Sequence, residues 1–163
     1  MSGLKRLKAE VYSLLGREDG KAFPEEILDF SLKQVVNPLF SYIQSVDPRI
    51  KARAVASMGK VVAKLAGEEM EAARVVMRRL MWSLNDESGG IGWGACEAMG
   101  EIMAEHEGLA REFHKILISH VDPAGNYLEY EPLRKGAVLG LKRLFAAQPR
   151  IMAPYAHLLE TLD

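Results

Sequence analysis

A chain of 163 residues that is 48% hydrophobic and 26% charged has enough apolar side chains to bury a core of its own, which excludes an intrinsically disordered segment. Its 21 basic and 22 acidic side chains leave a net charge of -1, which excludes the overall positive field that draws a protein onto nucleic acid or an anionic membrane. One cysteine, Cys96, excludes an internal disulfide and a cysteine-built zinc site; with no apolar run of signal-peptide or membrane-spanning length, the expectation is a cytoplasmic protein.

Leu4, Leu7, Val11, Leu14 and Leu15 recur at helical spacing, and Gly16 stands where a C-terminal cap belongs, so residues 4–15 predict an amphipathic helix. The polar run REDGKAF, residues 17–23, predicts a turn. Pro24-Glu25-Glu26 then opens a second helix through Ile27, Leu28, Phe30 and Leu32, expected to end or kink near Asn37-Pro38. These two helices form an N-terminal cap over residues 1–36.

Beyond them the chain repeats itself. AVASMGKVVAKL, ACEAMGEIMAEH and AVLGLKRLFAAQ align without gaps, headed by Ala54, Ala95 and Ala137 at spacings of 41 and 42. Upstream of each, a predicted helix ends at an aspartate, Asp47, Asp86 or Asp122. The units run over 37–66, 70–106 and 109–148, and residues 149–163 make half a unit: Pro154 falls on Pro38 and Asp163 on Asp47. Each unit reads as a helical hairpin whose second helix carries small residues where its neighbours pack.

The first unit resembles the HEAT repeat. Pro38 bends the first helix, Asp47-Pro48 makes the turn, and Ile50-Lys51 stands at the family's valine-arginine pair, followed by Ala54, Val55, Met58 and Gly59. The third is similar at Leu133-Arg134 and Ala137-Val138 but has Lys142 in place of the glycine; the second has Ile91-Gly92 at the pair and so lacks its basic residue. The likeness extends to small bacterial HEAT-like proteins with a glycine-rich second turn. It implies an all-α fold, a short right-handed α-solenoid (an alpha-alpha superhelix) in one domain, and no particular activity.

One stretch breaks the pattern. Between Trp82 and Gly94, WSLNDESGGIGWG holds Gly89, Gly90, Gly92 and Gly94, which calls for a tight turn, a close backbone approach or a ligand. The turn joining the two helices is minimal in the first unit but enlarged in the second, DESGGIGWG, and the third, DPAGNYLEYEP. Enlarged turns on one edge of a repeat array are commonly its binding face. The candidate partner-binding surface is therefore Asp86, Glu87, Trp93, Tyr127, Glu129, Tyr130, Glu131 and Arg134, acidic and aromatic, with Lys51 nearby.

Plainer readings stand beside it. The three aspartates cap or buttress the following helices, Trp82 belongs to the core, Trp93 is exposed or buried with equal weight, and the glycines let helices touch. His106, His114, His120 and His157 form no i, i+4 pair, which argues against a helix-borne metal site. Cys96 reads as a small buried side chain, and the basic clusters Arg49-Lys51-Arg53, Arg74-Arg78-Arg79 and Arg134-Lys135-Lys142-Arg143 read as solvated faces. No cofactor is called for. The expected function is a non-catalytic module that binds a protein through its concave face and enlarged turns. The alternative is an enzyme or accessory factor acting on a DNA base or small molecule, with Asp86 or Glu87 as acid or base and Trp93 as a stacking wall. That alternative draws on the HEAT-like alkyl-base DNA glycosylases, which Trp82, Trp93 and Asp86 resemble in residue type only. A third relation, to the HEAT-like subunits of bilin lyases, rests on the repeat alone.

Overall fold

The computed structural model describes residues 2–85 and 91–162, and among them the chain is helical with no strand. Helix α1, Gly3–Leu15, starts where the Ser2 hydroxyl accepts from the Lys5 amide at 3.2 Å and closes where the Gly16 N–H donates to the Tyr12 carbonyl at 2.9 Å. The second expected helix takes a different form. Residues Glu25–Asp29 make a single 3-10 segment, and α2 begins afresh at Leu32 behind the Ser31 cap and runs to Tyr42 with Pro38 inside it. Proline removes one amide from the ladder, but Val35, Val36 and Leu39 are buried around it, and burial on that scale outweighs one lost hydrogen bond.

Helix α3, Pro48–Glu68, carries the expected start: the Asp47 carboxylate accepts from the amides of Arg49 (2.9 Å) and Ile50 (3.4 Å), with Pro48 in the first turn. Then follow α4 (Met70–Ser83), α5 (Ala95–Glu105), α6 (Glu107–Ser119), α7 (Glu131–Ala147) and the short α8 (Pro149–Met152), which passes into a 3-10 segment over Ala153–Thr161. That last stretch matches residues 37–47 in sequence but not in helix type: it buries no side chain within itself, and Tyr155 lies edge-on to His114 with ring centres 5.6 Å apart.

The helices form two layers. In one, α3, α5 and α7 lie side by side with α5 in the middle; in the other, α2, α4 and α6 pack against that row, and α1 packs against α2 and α3. The row is held at backbone distance. A methyl on Gly140 would stand 2.5 Å from the Cys96 carbonyl, and one on Gly100 would run into Gly140 itself. The sequence alignment put Lys142 at the glycine position of the third unit. The close contact instead uses Gly140, two residues earlier, which lies against Cys96 and Gly100 of α5. The outer layer is linked by long polar arms: Arg74 of α4 to Glu112 of α6 at 2.8 Å, and Arg79 of α4 over the Phe40 ring of α2 at 4.2 Å.

Across the open face of the row, α5 presents Glu97, Glu101 and Glu105 on one stripe. Lys51 and Lys60 of α3 pair with Glu97 (2.9 Å) and Glu105 (3.0 Å), and Arg143 of α7 pairs with Glu101 (3.0 Å) and Glu105 (3.3 Å). Arg53 does not lie on a solvated face. It is 6% exposed, donates to Asp19 at 2.9 Å and to the carbonyls of Leu14 and Lys21, and thereby ties the 17–23 turn to α3. That hydrogen bond from Arg53, with help from the Lys21 amide, holds the Asp19 carboxyl down at about 2. Arg49 likewise donates to the Gly16 carbonyl at 2.7 Å. No helix among the described residues is long and apolar enough to cross a membrane.

Candidate functional site

The described parts of the turns that join outer-layer helices to the row meet one another, and glycine sets how closely. Gly94 has φ +79°, and any side chain there would collide with the Ile43 carbonyl at the end of α2. Gly92 has φ +80°, and a methyl on it would stand 2.6 Å from the Ser83 carbonyl at the end of α4. Left-handed backbone and close approach together account for both glycines, so neither needs a ligand to explain it. Gly89 and Gly90, like the candidate site residues Asp86 and Glu87, lie outside the described residues.

The second turn in its stacked position reaches the third. The rings of Trp93 and Tyr130 are 5.9 Å apart at 60°, a tilted aromatic pair. Trp93 is half-buried, and Tyr130 is 56% exposed. Behind them, Arg134 of α7 reaches back into the third turn, donating to the carbonyls of Leu128 (2.8 Å) and Glu129 (3.2 Å), with its guanidinium 4.8 Å from the centre of the Tyr127 ring. Glu129 and Glu131 are exposed, and Glu131 lies 3.5 Å from Lys135. Trp93 with Tyr130 and Tyr127 with Arg134 thus form two side-chain pairs at the third turn, with Glu129 and Glu131 adjacent in sequence. Lys51 stays on the face of the row, paired with Glu97.

Two sequence expectations need correcting. Trp82 is 67% exposed, because Ala73, Val76, Met77 and Leu80 take the inward stripe of α4 and Trp82 falls off it. Val46, Ile91 and Tyr130, in or beside the turns, are exposed as well. Asp122 does not cap a helix. Its carboxylate accepts from the Ala124 amide at 2.9 Å and shapes the turn, while α7 starts nine residues later, at Glu131 behind Tyr130.

His120 is the residue the sequence gave least reason to notice. It ends α6 with 7% exposure, its carbonyl accepts from the Leu128 amide at 3.0 Å, and its Nδ1 lies 3.0 Å from the Asn126 carbonyl. A carbonyl only accepts, so Nδ1 carries a hydrogen and, in the neutral ring, Nε2 is left as a bare acceptor; Nε2 is buried and has no partner among the described residues. The ring forms part of the wall of a cavity of about 620 Å³ between the end of α4 and the third turn, where Met81, Leu84, Leu128 and Leu133 meet Asn85, Tyr127 and Glu129. The only signal in the sequence was a histidine two residues before the third aspartate.

The remaining reactive groups have structural positions. His106 caps α6, its Nδ1 accepting from the Leu109 amide at 3.1 Å, and His114 bonds the Ala110 carbonyl at 2.8 Å. Burial pushes the Cys96 thiol well above its ordinary range, so it stays protonated and a poor nucleophile. Among the described residues no three His, Cys, Asp or Glu side chains converge as a metal site. A second, shallower groove of about 370 Å³ crosses the row between Val55 and Leu139, roofed by the ion pairs of α5. Compared with protein-family models, with curated proteins and with solved structures, the chain gives no match, so the functional reading rests on this geometry.

Proposed function

We propose that the chain is a short HEAT-like α-solenoid that acts as a non-catalytic docking module, holding a protein partner on the edge where its second and third turns meet. Two features support the solenoid reading. Helices adjacent in the chain pack against one another, and the row α3-α5-α7 is drawn together at close distance while the outer helices are linked through long side chains. The observation that carries the docking reading is the Trp93-Tyr130 pair, flanked by the exposed Val46, Trp82 and Ile91. Aromatic side chains ringed by polar ones are what interfaces use as anchors. Glu129 and Glu131 at this edge favour a partner segment that mixes apolar and basic residues.

The alternative, action on a DNA base, needs a basic groove to hold the phosphate backbone. Arg74 and Arg78 are paired with Glu71, Arg74 also with Glu112, Arg143 with Glu101, and Arg49 and Arg53 with the N-terminal turn. Cations committed in this way favour the docking module.

Proteins retained by the immobilised wild type, once identified and purified, provide the test. Trp93→Ala and Tyr130→Ala should each weaken their binding by about tenfold or more, the loss typical of an interface anchor, whereas Leu4→Ala, on the exposed face of α1, should leave it unchanged. Equal affinity for all three variants and the wild type would overturn the assignment of the edge.

A further inference from the structure

We propose that the cavity beside His120 binds a small aromatic molecule bearing a hydroxyl or ring N–H, and that this hydrogen is donated to Nε2 of His120. The inference goes beyond partner docking and does not depend on it. His120 has an obvious structural task, clamping the third turn through its carbonyl to Leu128 and through Nδ1 to Asn126. That task fixes the tautomer and accounts for one side of the ring. The other side is a buried nitrogen lone pair with nothing to accept from. An acceptor stripped of water and left unpaired is costly, and in folded proteins such groups are rare enough to need a reason.

The cavity beside it supplies one. Its volume of about 620 Å³ lies within the range of small-molecule sites, roughly 300–1,000 Å³. Met81, Leu84, Leu128 and Leu133 give an apolar floor that suits a flat ring, and Tyr130 stands at the rim. The charge of the lining limits the ligand further. Glu129 is there, and among the described residues no lysine or arginine is; the nearby Arg134 is turned onto Tyr127 and two carbonyls. An anionic ligand would meet a carboxylate and no cation, whereas a neutral hydrogen donor meets an acceptor already oriented by its own hydrogen bond to Asn126. Nε2 is covered by neighbouring atoms, so the ligand reaches it where the cavity wall at His120 gives way.

Phenol and anisole differ by the hydrogen in question and serve as matched probes. In nitrogen-15 spectra of the histidine side chains, phenol should saturate a site and move the Nε2 resonance of His120, while anisole should bind about tenfold more weakly and leave that resonance in place. His120→Asn keeps an N–H for the Asn126 carbonyl but removes the second nitrogen, and should reduce phenol to the affinity of anisole. Trp93→Ala, which disables the docking edge, should bind phenol as the wild type does, so the two proposals fail separately. Equal affinities for phenol and anisole, an unmoved His120 at millimolar phenol, or undiminished phenol binding in His120→Asn would each overturn the proposal. If His120→Asn does not fold, the comparison of the two probes on the wild type decides.

Discussion

At Gly140 a single missing methyl lets α7 lie on α5. Two effects of opposite sign would follow from restoring it. Alanine in place of glycine in an open helix stabilises by about 0.4–1 kcal/mol, mainly by restricting the unfolded chain. A methyl 2.5 Å from the Cys96 carbonyl, however, forces two backbones apart, and overpacking of that kind costs about 1–3 kcal/mol. The clash wins. Gly140→Ala should therefore lower the urea midpoint, while Gly67→Ala, whose methyl would meet nothing within 4 Å, should raise it. Little of this was legible beforehand. The aligned segments pointed to Gly59 and Gly100, but which residue of α7 faces Gly100 depends on a crossing angle that no single helix encodes. Trp82 and Arg53 were misread for a related reason. A tryptophan near leucines suggests core, and an arginine among basic residues suggests solvent, yet each assignment turns on which stripe of its helix the neighbours cover.

The third turn shows how an element can be specified mainly by its flanks. Residues 120–130 contain no regular structure; their shape comes from His120 at one end and Arg134 at the other, both bonded to backbone carbonyls within the turn. Arg134→Ala should leave the helices intact but raise amide exchange at Leu128 and across 126–130 by an order of magnitude or more, since two charge-assisted hydrogen bonds go at once. Exchange unchanged from the wild type would mean that His120 alone holds the turn. Helix starts were the most legible part of the sequence, since Asp47 and Ser2 act locally within their own first turns. The break between the 3-10 segment at Glu25–Asp29 and α2 was not, because the apolar spacing of Ile27, Leu28, Phe30 and Leu32 runs across it while the backbone leaves the helix at Phe30 and restarts behind the Ser31 cap.

For the molecule as a whole, the helical spacing in the sequence implied an all-α fold, and the described residues are helical with no strand. What periodicity could not supply was where the lengthened turns go. Gly94 against Ile43 sets the second turn on the first, and Trp93 against Tyr130 sets the third on the second. Both the proposed docking surface and the position of the His120 cavity follow from this stacking of turns. The most direct measurement is a proton-proton NOE spectrum of the wild type with Trp93 and Tyr130 assigned through their phenylalanine variants. Rings with centres 5.9 Å apart should give cross-peaks between the indole and the Tyr130 ring protons. If Trp93 instead shows contacts only within its own turn, the second and third turns do not meet and the proposed edge does not exist.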